Sequence, residues 1–121
     1  SADGRLRFHY RKLRVTGPRK AKLVELQKRT ILRGYDLLKV KGTMVYATCT
    51  YHPLENEAVV DYLLKNREAE LLPIETGPAG EPGLTQWQKE HYDRSLQKTV
   101  RFYPHRLDSV GFFMARIGKP G

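Results

Sequence analysis

Apolar positions along the chain change period several times, and each change marks an element. Between Lys22 and Lys39, Val24, Ile31, Tyr35 and Leu38 recur at helical spacing, flanked by Leu23, Leu32 and Leu37, which predicts a helix. Lys39 and Lys41 sit at its C-terminal end, where cations suit the helix dipole, and Gly42 provides a stop. Thr43 to Thr48, TMVYAT, then runs without polar alternation, the pattern of a strand buried on both faces. A second helix is predicted over roughly 54–66. Pro53 fits its first turn, Glu55 and Glu57 place negative charge near its start, and Val59, Val60, Leu63 and Leu64 form one stripe. Ala69 to Ile74 predicts a short strand, and the glycines and prolines of Gly77 to Gly83 predict a loop. Leu84 to Leu96, with Trp87 and Tyr92, reads as a short helix or an ordered loop. Val100 to Tyr103 and Ser109 to Ile117 are further strands joined through Pro104 to Asp108. Ser1 to Ala21 has no clean period and reads as a basic loop with a turn at Thr16-Gly17-Pro18.

The order helix, strand, helix, strand predicts an α/β fold with parallel strands, and the last two strands add an antiparallel edge. The 121 residues suffice for one domain and not for two separate cores. No apolar run approaches the roughly 20 residues that span a bilayer, and no signal-peptide pattern opens the chain. The single cysteine excludes an internal disulfide and fits a reducing, cytoplasmic compartment.

Charge adds a function class. The first 41 residues hold thirteen Lys and Arg against Asp3, Glu25 and Asp36, while the remainder is close to neutral. Such a concentration attracts a polyanion, and RNA or DNA is the usual one; a solvated basic face is the plain alternative. The candidate phosphate contacts are Arg5, Arg7, Arg11, Lys12, Arg14 and Lys22, with Phe8 and Tyr10 placed among them to stack on unpaired bases.

The remaining question is Cys49, in VYATCTYHPLENE. A lone cysteine is most often a small buried hydrophobe. At the C-terminal end of a strand in an open α/β sheet, where such sheets bind ligands, it is equally placed to be a nucleophile, and the next helix turns its N-terminus to the same edge. The four histidines are scattered and make no metal-ligand spacing, so His52 and His105 receive no catalytic role.

The stretch VYATCTYHPLENEAVVDYLL resembles the nucleophile motif of the Nol/Nop/Sun family of RNA (cytosine-5) methyltransferases: an apolar strand, Thr48-Cys49-Thr50, a short loop, then Glu55-Asn56-Glu57 opening a helix. RFYPHRLDSVGFFMARIGK, with Pro104-His105 and Gly111-Phe112-Phe113, is similar to that family's closing strands. LQKRTILRGYDLLKVKG is similar to the helix and glycine turn before the nucleophile strand. The resemblance implies the C-terminal half of a Rossmann-like methyltransferase sheet. It implies Cys49 as the nucleophile, with Thr48, Thr50, Pro53, Asn56 and Gly111 supporting it and Phe112 or Phe113 against the target base. It implies S-adenosylmethionine as methyl donor and transfer or ribosomal RNA as substrate.

The family's cofactor loop and upstream acid have no counterpart here, since no G-x-G occurs in the chain. Ser1-Ala2-Asp3-Gly4 is similar to the residues just after the family's second cysteine. The expectation is therefore a chain inactive alone, with cofactor-binding residues elsewhere. It would pair its open sheet edge with a chain carrying the N-terminal half, or with itself. Two rivals remain: a non-catalytic RNA-binding module on the same half-fold, and a thiol hydrolase, which needs a histidine partnered to Cys49.

Overall fold

The computed structural model describes residues 7–8, 18–50, 52–75, 80–102 and 112–121, with backbone only for residues 7–8 and 18–20. The strand β1 is Arg7–Phe8, and the helix α1 runs Pro18–Leu37. The basic segment is thus not wholly loop. Pro18, read as part of a turn, opens the helix, because its missing N–H and fixed φ suit a first helical residue. The helix stops short of Lys39. The left-handed residue in the turn beyond it is Lys41, with φ 68, while the Gly42 N–H donates to the Lys39 carbonyl at 2.8 Å. A Cβ on Gly42 would press on that same carbonyl, which is why glycine stands there.

The strand β2 is Thr43–Thr48, followed by a 3-10 turn at Pro53–Glu55 and the helix α2, Glu57–Asn66. The strand β3 is Glu70–Leu72 and β4 is Glu81–Pro82. The region read as a short helix or loop holds a small hairpin, β5 at Gln86–Trp87 with β6 at Glu90–His91, and a 3-10 turn at Arg94–Lys98. The closing strands are β7, Val100–Phe102, and β8, Phe112–Gly118.

Among the described residues the sheet order is β1-β2-β8-β7-β4, with β3 also pairing β8. β1 lies parallel to β2, and every other pair in this sheet is antiparallel. This alters the expected arrangement. β2 and β3, joined through α2, do run in the same direction, as a helical crossover requires. They do not touch, because β8 inserts between them, with Met44 and Leu71 both paired to Ile117. Of the closing strands, β8 is the one reversed relative to β2 and it is interior, while the terminal strand β4 runs in the same direction as β8. The far side of β8 is shared, by β3 along Arg116–Gly118 and by β7 along Phe112–Met114.

One face of the sheet carries the core. Ile31, Tyr35 and Leu38 at the C-terminal half of α1 and just beyond it, with Val59, Val60 and Leu63 of α2, pack on Met44, Tyr46, Phe113, Ala115 and Ile117. The opposite face is only partly covered: Val45, Met114 and Arg116 line a groove of about 480 Å³ with Pro73, Ile74 and Glu75. β2 is thus dry on one face and half-open on the other, unlike the doubly buried strand that its apolar run predicts. No helix is long and apolar enough to cross a membrane among the described residues.

Candidate active site

The site is built at the carboxyl end of β2. The ladder with β8 ends at Thr48, opposite Phe113, and the chain then bends at Cys49, which is half-buried. Thr48 is buried, and its hydroxyl donates to Oδ1 of Asn56. Nδ2 of Asn56 donates to the Thr50 carbonyl at 2.8 Å. The Thr50 hydroxyl accepts the His52 N–H at 3.3 Å. Further along, the Tyr46 hydroxyl donates to the Glu55 carbonyl at 2.7 Å, tying the 3-10 turn to the strand below it.

His52 caps that turn: its Nδ1 accepts the Leu54 N–H at 3.2 Å, and its ring meets Trp87 edge-on at 5.2 Å. Its Nδ1 is thereby occupied in holding the backbone, and its ring packs on an indole, which is the work of a structural histidine. Pro53 is buried at the start of the same turn, as its fixed φ allows. No group of His, Cys, Asp or Glu suited to a metal ion occurs among the described residues.

The acids of the Glu55-Asn56-Glu57 motif do more than complement a dipole. Glu57 is fully buried and accepts from Nε and Nη2 of Arg101 on β7, the latter at 2.5 Å, and from the Leu84 N–H at 2.9 Å. One buried carboxylate thus joins the start of α2 to β7 and to the segment before β5. Glu55 is also buried, with Oε1 lacking a partner among the described residues. One turn further along α2, Asp61 accepts the Asp93 N–H at 2.8 Å and pairs with Lys65 at 2.8 Å. Sequence reasoning missed Arg101. The signal was present: an arginine between Val100 and Phe102 in an otherwise apolar run has to find a buried partner.

The other predicted residues separate. Phe113 has no exposed surface and meets Tyr46 edge-on in the core, so it cannot stack on a base from where it stands. Phe112, half-buried, points to the opposite face and packs near Phe102 at 6.1 Å. Lys22 is exposed on α1. Arg7 is placed by its backbone alone, beside Val45. Arg5, Arg11, Lys12, Arg14 and Gly111 lie outside the described residues, as do Phe8 as a side chain and Tyr10.

A strand-end cysteine between two threonines, braced by a buried asparagine at a helix start, can be compared with known proteins. Residues 9–118 match the family described as 16S rRNA methyltransferase RsmB/F. The chain belongs to this family. It is 44% identical over 99 residues to the tRNA (cytosine(49)-C(5))-methyltransferase of Pyrococcus abyssi, a match covering 78% of this chain and 30% of that protein. It is 41% identical over 99 residues to the human 28S rRNA (cytosine(4447)-C(5))-methyltransferase, covering 78% of this chain and 12% of that protein. Its fold matches a methyltransferase homolog from Pyrococcus horikoshii with TM-score 0.85 and 30% identity, over 96% of this chain and 39% of that one. NSun6 from Pyrococcus horikoshii, solved with SFG, matches with TM-score 0.67 and 27% identity, over 93% of this chain and 25% of that one. The chain thus spans less than half the length of these relatives.

Proposed function

We propose that this chain is the nucleophile-bearing part of an RNA cytosine-5 methyltransferase, with Cys49 as the covalent catalyst. The observation that carries the reading is Cys49, half-buried at the carboxyl end of β2 with both flanking residues held by Asn56. Carbon 5 of cytosine is too poor a nucleophile to take a methyl group unaided. The Cys49 thiolate forms a bond to carbon 6, and the electron pair of the 5,6 double bond makes carbon 5 enamine-like. After methylation a base removes the carbon-5 proton, and the returning electron pair expels the thiolate. Only a soft nucleophile that is also a good leaving group serves both steps.

S-adenosylmethionine is the methyl donor this reading requires; the family and the neighbour solved with SFG support it. Its binding residues are assigned mostly to segments outside this chain. The RNA is transfer or ribosomal, as the relatives' names suggest. The basic cluster of Arg5, Arg7, Arg11, Lys12, Arg14 and Lys22 would hold its phosphates, and of Phe112 and Phe113 it is Phe112 that keeps surface to offer a base. Among the described residues β1 is the outermost strand beside β2, and that side of the sheet is where a further strand, from an N-terminal half or a second copy, would pair.

The test uses RNA carrying 5-azacytidine. This chain by itself is expected to bind that RNA without transferring methyl groups. The protein extended upstream to the length of its relatives is expected to form a covalent RNA adduct, and Cys49→Ser to form none. An extended protein that transfers labelled methyl groups equally well as Cys49→Ser would overturn the assignment.

A further inference from the structure

We propose that Asn56 is a positioning residue for Cys49, its carboxamide clamping the backbone on both sides of the nucleophile. This rests on the reading of Cys49 as the covalent catalyst. The informative feature is what Asn56 does not do. It stands at the N-cap position of α2, where an asparagine ordinarily gives its side-chain oxygen to an N–H of the first turn. Asn56 makes no such side-chain cap; its backbone, at φ −114 and ψ −95, turns the carboxamide away from the helix. Oδ1 instead accepts the Thr48 hydroxyl, and Nδ2 donates to the Thr50 carbonyl at 2.8 Å. One side chain therefore grips the residues immediately before and after Cys49.

The clamp is itself held firmly. Asn56 has no exposed surface. Its N–H donates to the Pro53 carbonyl at 3.1 Å, and its carbonyl accepts the Val60 N–H at 3.2 Å. The next residue, Glu57, is fixed by Arg101 and Leu84. Thr48 is further locked by its place in the β2 ladder, opposite Phe113. Cys49 is left between two anchored neighbours, which limits the directions its sulfur can take. Placement of a reacting atom within a narrow range of distance and angle governs the rate of such an addition. The polarity of the clamp also selects asparagine, because it needs an acceptor for a hydroxyl and a donor for a carbonyl on one short side chain. Aspartate supplies only the first.

Cys49 is the only thiol in the chain, so alkylation by iodoacetamide reads this position alone. Asn56→Ala, Asn56→Asp and Thr48→Val each remove at least one arm of the clamp. Thr48→Val and Asn56→Asp, which lose one arm, are expected to raise the alkylation rate about fivefold, the population change from losing one net hydrogen bond, and Asn56→Ala, which loses both, at least as much. Thr48→Ser keeps the hydroxyl and is expected to react as the unsubstituted chain does. Leu63→Ala, which opens the core beneath α2 away from the clamp, serves as a control for lowered stability and is expected to leave the rate unchanged. Should Asn56→Ala fail to fold, the contrast between Thr48→Val and Thr48→Ser decides alone. An unchanged rate in Asn56→Ala, equal rates in the two Thr48 variants, or an equal rise in Leu63→Ala overturns the clamp. The assay needs neither RNA nor a methyl donor, so its outcome is separate from that of the adduct experiment.

Discussion

Tyr92 packs in the core, its hydroxyl buried and without a hydrogen-bond partner among the described residues. Burial, and then the carboxylates of Glu57, Glu90 and Asp61, push its pKa from 10.0 up to about 12. The folded value lies above the unfolded one, so the unfolded chain gives up this proton first. The stability at stake is therefore present below about pH 10 and lost as pH rises towards about 12. Tyr92→Phe keeps the ring and removes the unsatisfied group. It is expected to be neutral or stabilising by up to about 1–2 kcal/mol near neutrality, and to lessen the alkaline loss, as read by urea unfolding on both sides of about pH 10. A Phe variant less stable than the parent at neutral pH would mean that the hydroxyl has a partner. The burial of Tyr92 is not visible in a local window, where it sits between His91 and Asp93, and for Arg101 the apolar neighbours point to burial without naming the partner. Cys49 differs, because its motif is contiguous in sequence and its strand-end position is set by the apolar run before it.

The elements themselves were largely legible. Thr43–Thr48 has the bounds that its apolar run predicts, and α2, β3 and β7 lie where periodicity and punctuation put them. The start of α1 was not, because proline and glycine mark a turn and a helix start alike. The ties between the elements were hidden. Glu57 and Arg101 meet across a separation of 44 residues, and the pair ties α2 to β7 at almost no exposure. Arg101→Met would leave a buried carboxylate uncompensated and is expected to cost about 3–5 kcal/mol. Glu57→Gln in the same chain keeps an acceptor for the Leu84 N–H while removing the charge, and is expected to recover most of that loss. Denaturant unfolding of the single and double variants checks this; equal losses in both would show that the ion pair is not what binds the two elements.

At the scale of the whole molecule, charge and topology decide different things. The basic first third predicts RNA binding whose logarithmic affinity falls linearly with the logarithm of salt concentration, and Lys22→Ala is expected to reduce that slope by about 0.7 on single-stranded RNA. Filter binding over a salt series measures it, and an unchanged slope would remove Lys22 from the interface. The sequence by itself determined the α/β class, the nucleophile candidate, the acidic helix start behind it and the asymmetry of charge. Each of these is carried by neighbouring residues, where period, turn chemistry and motif operate. Only the tertiary structure decided that β8 lies between β2 and β3, that Phe113 is core, that Arg101 neutralises Glu57, and that the Asn56 carboxamide grips the neighbours of Cys49 and not its own helix. Those outcomes depend on which distant groups share a buried space, where an unpaired charge or amide is costly enough to select its partner.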